Sequence, residues 1–297
     1  MSAATLAGTS PAVEPPEIFD RHLRRLRRDR AAPRFAEHSF VRDAIVDGLL
    51  DRFDLVKRKF VHALDLGTAN GGLAQALRER GVQVTVSDAG ARFAADGVQC
   101  DEDRLPFPAE SFDLIMSAGV LDSVNDLPGA LIQCRRALKP DGLFLAGFVG
   151  AGSLPWLRRA LLEADQAAGT AVPQRVHPLI DVRAAGDLLT RAGFVLTVAD
   201  SESLDVGYAD PIRLMADLRG MAAANLLASQ APPRLTRGRL ASVARSFATH
   251  ADPDGRLRER FELVFMTGWA PGPDQPQPAR RGSATASLAA ALKPKSE

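Results

Sequence analysis

Cysteine is scarce in this chain: Cys100 and Cys134 are the only two in 297 residues. They have no zinc-ligand spacing and allow at most one bridge, so neither a metal-stapled nor a disulfide-framework fold is expected. Such usage fits a reducing compartment, where the thiol acts mainly as a small apolar group. Long apolar runs are also missing, and no stretch nears the roughly 20 residues that a membrane span requires. Between Ser10 and Pro16 the only apolar side chains besides proline are Ala12 and Val13, which is unlike a signal peptide. Charge bias is absent too. Lys plus Arg number 37 against 36 Asp plus Glu, a net charge of +1, so no global field draws the chain to nucleic acid or to a membrane surface. The expectation is a soluble, cytoplasmic protein with no nucleic-acid partner and no integral membrane segment.

What is present is apolar substance and a changing rhythm. Hydrophobic residues make up 46% of the chain, enough for a sizeable core in one large domain or a domain with an added cap. Residues 1–16 read as a flexible arm. Residues 17–59 carry two helical patterns. The first holds a basic run over residues 21–30, read as a solvated helix face or, more sharply, as a partner-docking surface. The second repeats Val41, Ile45, Leu49, Leu50 and Phe53 at the spacing of one buried face.

From residue 60 the pattern alternates. Strands are expected over 60–66, 82–87, 112–118 and 143–149, with helices over 72–80 and 127–138 and a turn at Lys139-Pro140-Asp141-Gly142. Strand–helix alternation argues for a parallel sheet covered on both faces. Residues 151–192 read as mainly helical, 194–199 as strand, 211–228 as helix and 261–269 as a late strand. Residues 271–297 read as a disordered tail, in which 284–292 could form a marginal helix.

The segment Asp65-Leu66-Gly67-Thr68-Ala69-Asn70-Gly71-Gly72 carries the chemistry. A strand ends, the chain turns tightly and a helix begins. Gly67 and Gly71 give backbone freedom and room for a ligand, and helix N–H groups then face it. In open α/β sheets ligands bind outside the carboxyl ends of the strands, where this loop lies. Asp88 ends the next strand, placed to accept from two ribose hydroxyls. The arrangement alone would also serve a dinucleotide. Ala69, however, stands where a middle glycine would admit a pyrophosphate.

The blocks that follow decide between these readings. Asp101-Glu102-Asp103-Arg104-Leu105-Pro106-Phe107, Phe112-Asp113-Leu114-Ile115-Met116-Ser117 and Leu138-Lys139-Pro140-Asp141-Gly142 resemble successive motifs of class I S-adenosylmethionine (SAM) methyltransferases. The resemblance implies an α/β fold with a Rossmann-like, doubly wound, seven-stranded, mostly parallel sheet, N-terminal helices and a helical insertion. It divides the methyltransferase-like domain, residues 60–270, into a cofactor half at 60–150 and a substrate or partner half at 151–270. It implies SAM as cofactor, with Asp65, Gly67, Thr68, Ala69 and Gly71 along its methionine part and Asp88 on the ribose. Asp101 and Glu102 would lie beside adenine, with Ser117 and Ala118 closing the floor.

Further blocks resemble one subgroup of that family. They are Ile18-Phe19-Asp20-Arg21, Val124-Asn125-Asp126-Leu127-Pro128, Asp181-Val182-Arg183 with Ala192-Gly193-Phe194, and Thr267-Gly268-Trp269. The subgroup contains a mitochondrial complex I assembly factor that hydroxylates a protein arginine, together with bacterial relatives. A more distant likeness is to the malonyl-carrier-protein O-methyltransferases. The chain departs from the subgroup at Thr68-Ala69, at Asp122-Ser123, and at Gly150-Ala151-Gly152-Ser153, where an aspartate is missing.

The functional expectation is a SAM-dependent methyltransferase acting on a protein or a small acid. The alternatives are a complex I assembly factor or arginine hydroxylase that engages a complex I subunit, and a non-catalytic protein that binds a partner. Asp122, Arg175, His177 and Arg183 are substrate-side candidates. Against them stand a surface role for His177 and a structural Asp181–Arg183 pair. No metal site is expected, and no catalytic residue is assigned.

Overall fold

The computed structural model describes residues 17–169, 172–228, 232–273 and 275. The expected arm, most of the expected tail and the 284–292 helix lie outside the described residues. The sheet has seven strands: β1 (His62–Leu66), β2 (Gln83–Asp88), β3 (Val98–Gln99), β4 (Phe112–Ala118), β5 (Leu138–Val149), β6 (Val195–Tyr208) and β7 (Leu257–Trp269). Their order is β3-β2-β1-β4-β5-β7-β6. The first five pair in parallel, and β7 runs antiparallel between β5 and β6. This is the α/β architecture expected from the resemblance.

Burial on both faces explains the apolar runs of the central strands. Every residue of β4 is buried. Alternate residues feed two clusters: Ala63, Leu114 and Met116 on one face, Leu64, Leu66 and Ile115 on the other. Helix α2 (Phe40–Asp54) places Val41, Ile45 and Leu49 in the first cluster, as its periodicity predicts. Helices α3 (Gly72–Glu79) and α5 (Pro155–Ala167) join it on that face. The other face is covered by α4 (Leu127–Ala137) and α6 (Val182–Arg191).

Helix α1 (Arg21–Ala31) is attached differently. Asp20 caps it, accepting from the Leu23 N–H at 2.8 Å. Its buried residues are Arg24, Arg28 and Ala31, so the expected solvated face is overturned. The basic stripe turns inward because the chain supplies acids for it, described below.

Three boundaries differ from expectation. The turn at residues 139–142 is an irregularity inside β5, where the register against β4 shifts and Asp141 takes φ 63°. The strand expected at 194–199 runs on to Tyr208, since β7 pairs with it along its length. The helix expected over 211–228 stops as α7 (Pro211–Gly220). The chain then turns at Ala222, with φ 61°, and Leu227 bridges back to Phe19. A further helix, α8 (Arg237–Thr249), buries Val243 and Phe247 against α5. Among the described residues no helix is long and apolar enough to cross a membrane.

Candidate active site

The sheet order places a switch point between β1 and β4, where successive connections leave in opposite directions and a crevice opens at the carboxyl ends. The loop after β1 turns there. The Gly67 and Thr68 N–H groups both donate to the Ser87 carbonyl at 2.8 and 2.9 Å, tying the loop to the end of β2. Gly67 has φ 83°, and a Cβ on it would collide with Val120, so this position requires glycine. Gly71, at φ 77°, has open space where a Cβ would stand and is the N-cap of α3. Ala69 takes φ 47° without being glycine. Thr68 Oγ1 donates to Asp65 Oδ2 at 2.7 Å. Burial pushes the Asp65 carboxyl up, partly offset by Arg42 and by the Thr68 hydroxyl. Ser117 Oγ donates to the Leu66 carbonyl at 2.8 Å and joins the floor of the crevice to β1.

The sequence-selected acids converge at this crevice, and each is already engaged. Asp88 Oδ1 accepts from Arg28 Nε at 2.6 Å and from the Gly90 N–H at 2.8 Å. Its Oδ2 accepts from Arg28 Nη2 at 2.5 Å and from the Ala69 N–H at 3.1 Å. Burial alone would raise the Asp88 carboxyl, but Arg28 and these two N–H groups hold it below the usual carboxylate range. Arg24 grips Glu102 with both terminal nitrogens, at 2.7 and 2.9 Å. Arg25 donates to both Asp101 oxygens, at 3.2 and 2.5 Å, and Arg21 to both Asp103 oxygens, at 2.6 and 2.7 Å. The four arginines at positions 21, 24, 25 and 28 lie on one face of α1, the face a helix gives to residues three and four apart.

A fifth arginine enters from α2. Arg42 is buried and donates to the Gly67 and Thr68 carbonyls at 2.9 and 2.8 Å and to the Ala118 carbonyl. Burial lowers its guanidinium. Taken one residue at a time, the sequence gives none of the five arginines a place at the crevice. The legible signal was the pairing of two runs: basic residues three and four apart on one helix, and the contiguous acids Asp101-Glu102-Asp103.

The substrate-side candidates separate. His177 is 5% exposed, with Nε2 3.9 Å from Asp122 Oδ2 and its ring edge-on to Phe19. That overturns the surface reading. Its Nδ1 has no hydrogen-bond partner. His177 and Asp122 line a small polar cavity of about 30 Å³ with Arg24, Arg28 and Gly119. His177 also lines an apolar cavity of about 200 Å³ walled by Leu154, Leu157, Leu161 and Met215. Arg175 borders that apolar cavity, but its guanidinium is committed to Asp165, at 2.6 and 2.8 Å, and to the Pro233 carbonyl at 2.8 Å. Arg183 is exposed on α6 and lines neither cavity. Asp181 caps α6 through the Ala184 N–H at 2.8 Å rather than pairing with Arg183.

The acceptors match, in kind, what a ribose diol and an aminopurine need. In the arrangement described Asp88, Asp101 and Glu102 are each bound by an arginine of α1.

Comparison with known proteins agrees with this architecture. Residues 64–146 match the methyltransferase domain family. Over 284 residues the chain is 31% identical to "Arginine-hydroxylase NDUFAF5, mitochondrial" of Danio rerio, covering 92% of this chain and 88% of that protein. Over 271 residues it is 31% identical to "Malonyl-[acyl-carrier protein] O-methyltransferase" of Halorhodospira halophila, covering 86% and 90% respectively. Among solved structures, the YcgJ protein of Bacillus superposes with a TM-score of 0.51 at 16% identity, covering 76% of this chain and 98% of that one. At that identity the likeness speaks for the fold alone.

Proposed function

The chain belongs to the family of SAM-dependent methyltransferase-fold proteins that includes arginine-hydroxylase NDUFAF5 and malonyl-carrier-protein O-methyltransferase, and on that premise we propose that it is an enzyme that transfers a methyl group to a protein or small-acid substrate held beside Asp122 and His177. The observation that carries this is the buried His177, whose Nδ1 is unpartnered and whose Nε2 faces Asp122 across 3.9 Å, beside the crevice at the end of β4. SAM, when bound, supplies an electrophilic methyl on a sulfonium, so catalysis is mainly positioning. Asp65, Gly67, Thr68, Ala69 and Gly71 form the wall for its methionine part, with Ser117 and Ala118 as floor. Asp88 accepts from the ribose, with Asp101 and Glu102 beside adenine. Asp122 faces Nε2 across 3.9 Å, a carboxylate that favours the neutral tautomer with its proton on Nε2, and that tautomer leaves Nδ1 as the acceptor for a substrate proton. The two buried free thiols suit a reducing compartment, and we place the protein in the cytoplasm.

A second reading is favoured by the arginine pairing. A crevice that grips guanidinium groups with three carboxylates could instead engage an arginine of a partner protein. The relative's name, arginine-hydroxylase, supports this, with a respiratory complex I subunit as the candidate partner. The discriminating experiment incubates the protein in air with SAM, an electron donor and either small carboxylic acids or candidate protein subunits, so that both a methyl donor and the dioxygen and electrons an oxygen insertion needs are present. Mass spectrometry then reads a methyl or an oxygen increment on the product. Methyl transfer reduced by about 10²–10⁴ in His177→Gln, the usual worth of a general base, is the expected result. Oxygen addition would favour the second reading, and methyl transfer unchanged in His177→Gln would remove the histidine from the reaction.

A further inference from the structure

We propose that helix α1 is a displaceable latch: it occupies the nucleoside acceptors of the crevice with its own arginines, and the cofactor binds only as α1 withdraws. The inference rests on the cofactor reading above and adds a conformational step to it. Its strongest support is acceptor counting. A carboxylate has two oxygens, each with about two lone-pair sites. Asp88 spends all of them: Arg28 Nε and the Gly90 N–H on Oδ1, Arg28 Nη2 and the Ala69 N–H on Oδ2. The two backbone donors belong to the loops that follow β1 and β2. The two that can leave both belong to Arg28. A ribose diol can therefore reach Asp88 only in exchange for Arg28, at the same two oxygens.

The same helix face repeats this at the neighbouring acids. Arg24 grips Glu102 in a fork, and Arg25 holds Asp101. Three carboxylates that converge on one crevice are thus neutralised from one movable element. The grip is ionic rather than apolar, because Ala31 is the only buried apolar residue of α1. Charged groups leaving a crevice regain water, so detachment costs less than extracting an apolar helix face would.

Separate contacts fasten the helix without touching the acids. The Phe19 N–H donates to Asn125 Oδ1 at 2.7 Å, and Asn125 Nδ2 donates back to the Phe19 carbonyl at 3.0 Å. Phe19 bridges Leu227, and Arg27 donates to the Asn225 carbonyl. Asn125 sits just before α4 and the 221–228 segment follows α7. The latch is therefore closed by the segments that also border the cavity at Asp122 and His177.

In a closed–open equilibrium the apparent dissociation constant equals the intrinsic one divided by the open fraction. Weakening the latch should then tighten binding. The full chain is titrated with SAM by calorimetry as the parent, as Arg28→Gln and as Asn125→Ala. In parallel, hydrogen exchange of the α1 amides is followed in the parent with and without SAM. We expect Arg28→Gln to bind about tenfold tighter and Asn125→Ala about threefold tighter, on the order of the changes that linked equilibria give. Exchange of α1 should quicken when SAM is added. Asn125→Ala leaves every crevice acid and arginine in place, so it carries the test should Arg28→Gln fail to fold. Equal affinity in all three proteins, with α1 exchange unchanged, overturns the latch and leaves the cofactor reading standing. Weaker binding in Arg28→Gln with slower α1 exchange also overturns it, because the arginines would then belong to the bound cradle. No heat from any of the three overturns the cofactor reading and the latch with it.

Discussion

Helices α1 and α2 follow one another in the chain and border the same crevice, yet they are held by opposite physics. Helix α2 is anchored by Val41, Ile45 and Leu49, the latter two fully buried in the main core, and only its Arg42 reaches the loop carbonyls. Helix α1 contributes one small apolar residue to burial and four arginines to four acids. Burying apolar surface is gainful wherever it happens, at roughly 25 cal/mol per Å². A buried ion pair returns little net stability, because desolvation offsets most of its Coulombic gain. One helix is therefore part of the fold and the other is a fitted cover.

That contrast is broken or sharpened most strongly by truncating each helix's own anchor. Leu49→Ala should cost about 2–5 kcal/mol in global unfolding, the usual range for a leucine emptied from a packed core. Arg24→Gln, read in the same denaturant titration, should cost less, about 1.5–3 kcal/mol for a lost charged hydrogen-bond partner, because a loosened α1 returns Glu102 to water and no unpaired charge stays buried. Hydrogen exchange should localise its damage to α1, while Leu49→Ala lowers protection through the core strands. Equal and global losses from the two substitutions would mean that α1 is as integral as α2.

Acid separates the same two kinds of attachment. Burial would raise Asp88 and Asp103, but Arg28 with its two N–H partners, and Arg21 with the Asp126 N–H, hold them below the usual range. A carboxylate depressed in the folded state contributes stability that is fully present above its unfolded value, about 3.9. That stability drains away as pH falls through the lower folded value. The α1 contacts should thus loosen below about pH 4. Glu259 behaves oppositely. Burial raises it, against the opposing Leu157 and Trp156 N–H donors, so its ionised form burdens the fold and protonation relieves that burden. Protection factors, which correct for intrinsic exchange, should fall for α1 across this acid window before they fall for the start of α5. Simultaneous loss would erase the distinction.

This difference also decided what the sequence made legible. The α2 pattern could be read because one helix face is satisfied by generic core, and any apolar neighbours will do. The sheet and the glycine turn after β1 were legible for a similar reason, since a run such as Leu114-Ile115-Met116 must be covered on both sides. The α1 stripe reads as solvated or as a docking face in sequence, because its burial depends on particular acids sixty or more positions away, and one-dimensional periodicity carries no pairing information. His177 was hidden likewise. Its burial comes from Phe19, and its neighbour Asp122 lies on the turn after β4, two distant segments that only the fold brings together. Long β6 exceeded its short apolar signal because a partner strand, not its own composition, extends it.

The smallest expected effect tests the seam between cover and fold. Ala69 stands in the loop against Ala31 of α1 and Phe35, and it holds φ 47°. A left-handed conformation costs a non-glycine residue roughly 1–2 kcal/mol. Ala69→Gly removes that strain. Two terms oppose the gain. Glycine adds unfolded-state entropy worth about 0.4–1 kcal/mol, and the lost methyl forfeits about 0.8 kcal/mol at most if it is fully buried. The three terms nearly cancel, and the strain is the largest of them. The glycine variant should therefore melt within about 1 kcal/mol of the parent in either direction. The sign matters because it locates the alanine. A variant less stable by more than about 1 kcal/mol would mean that the methyl's contact with α1 and Phe35 outweighs the backbone strain. The cover would then share apolar packing with the cofactor loop and not be held by charge alone.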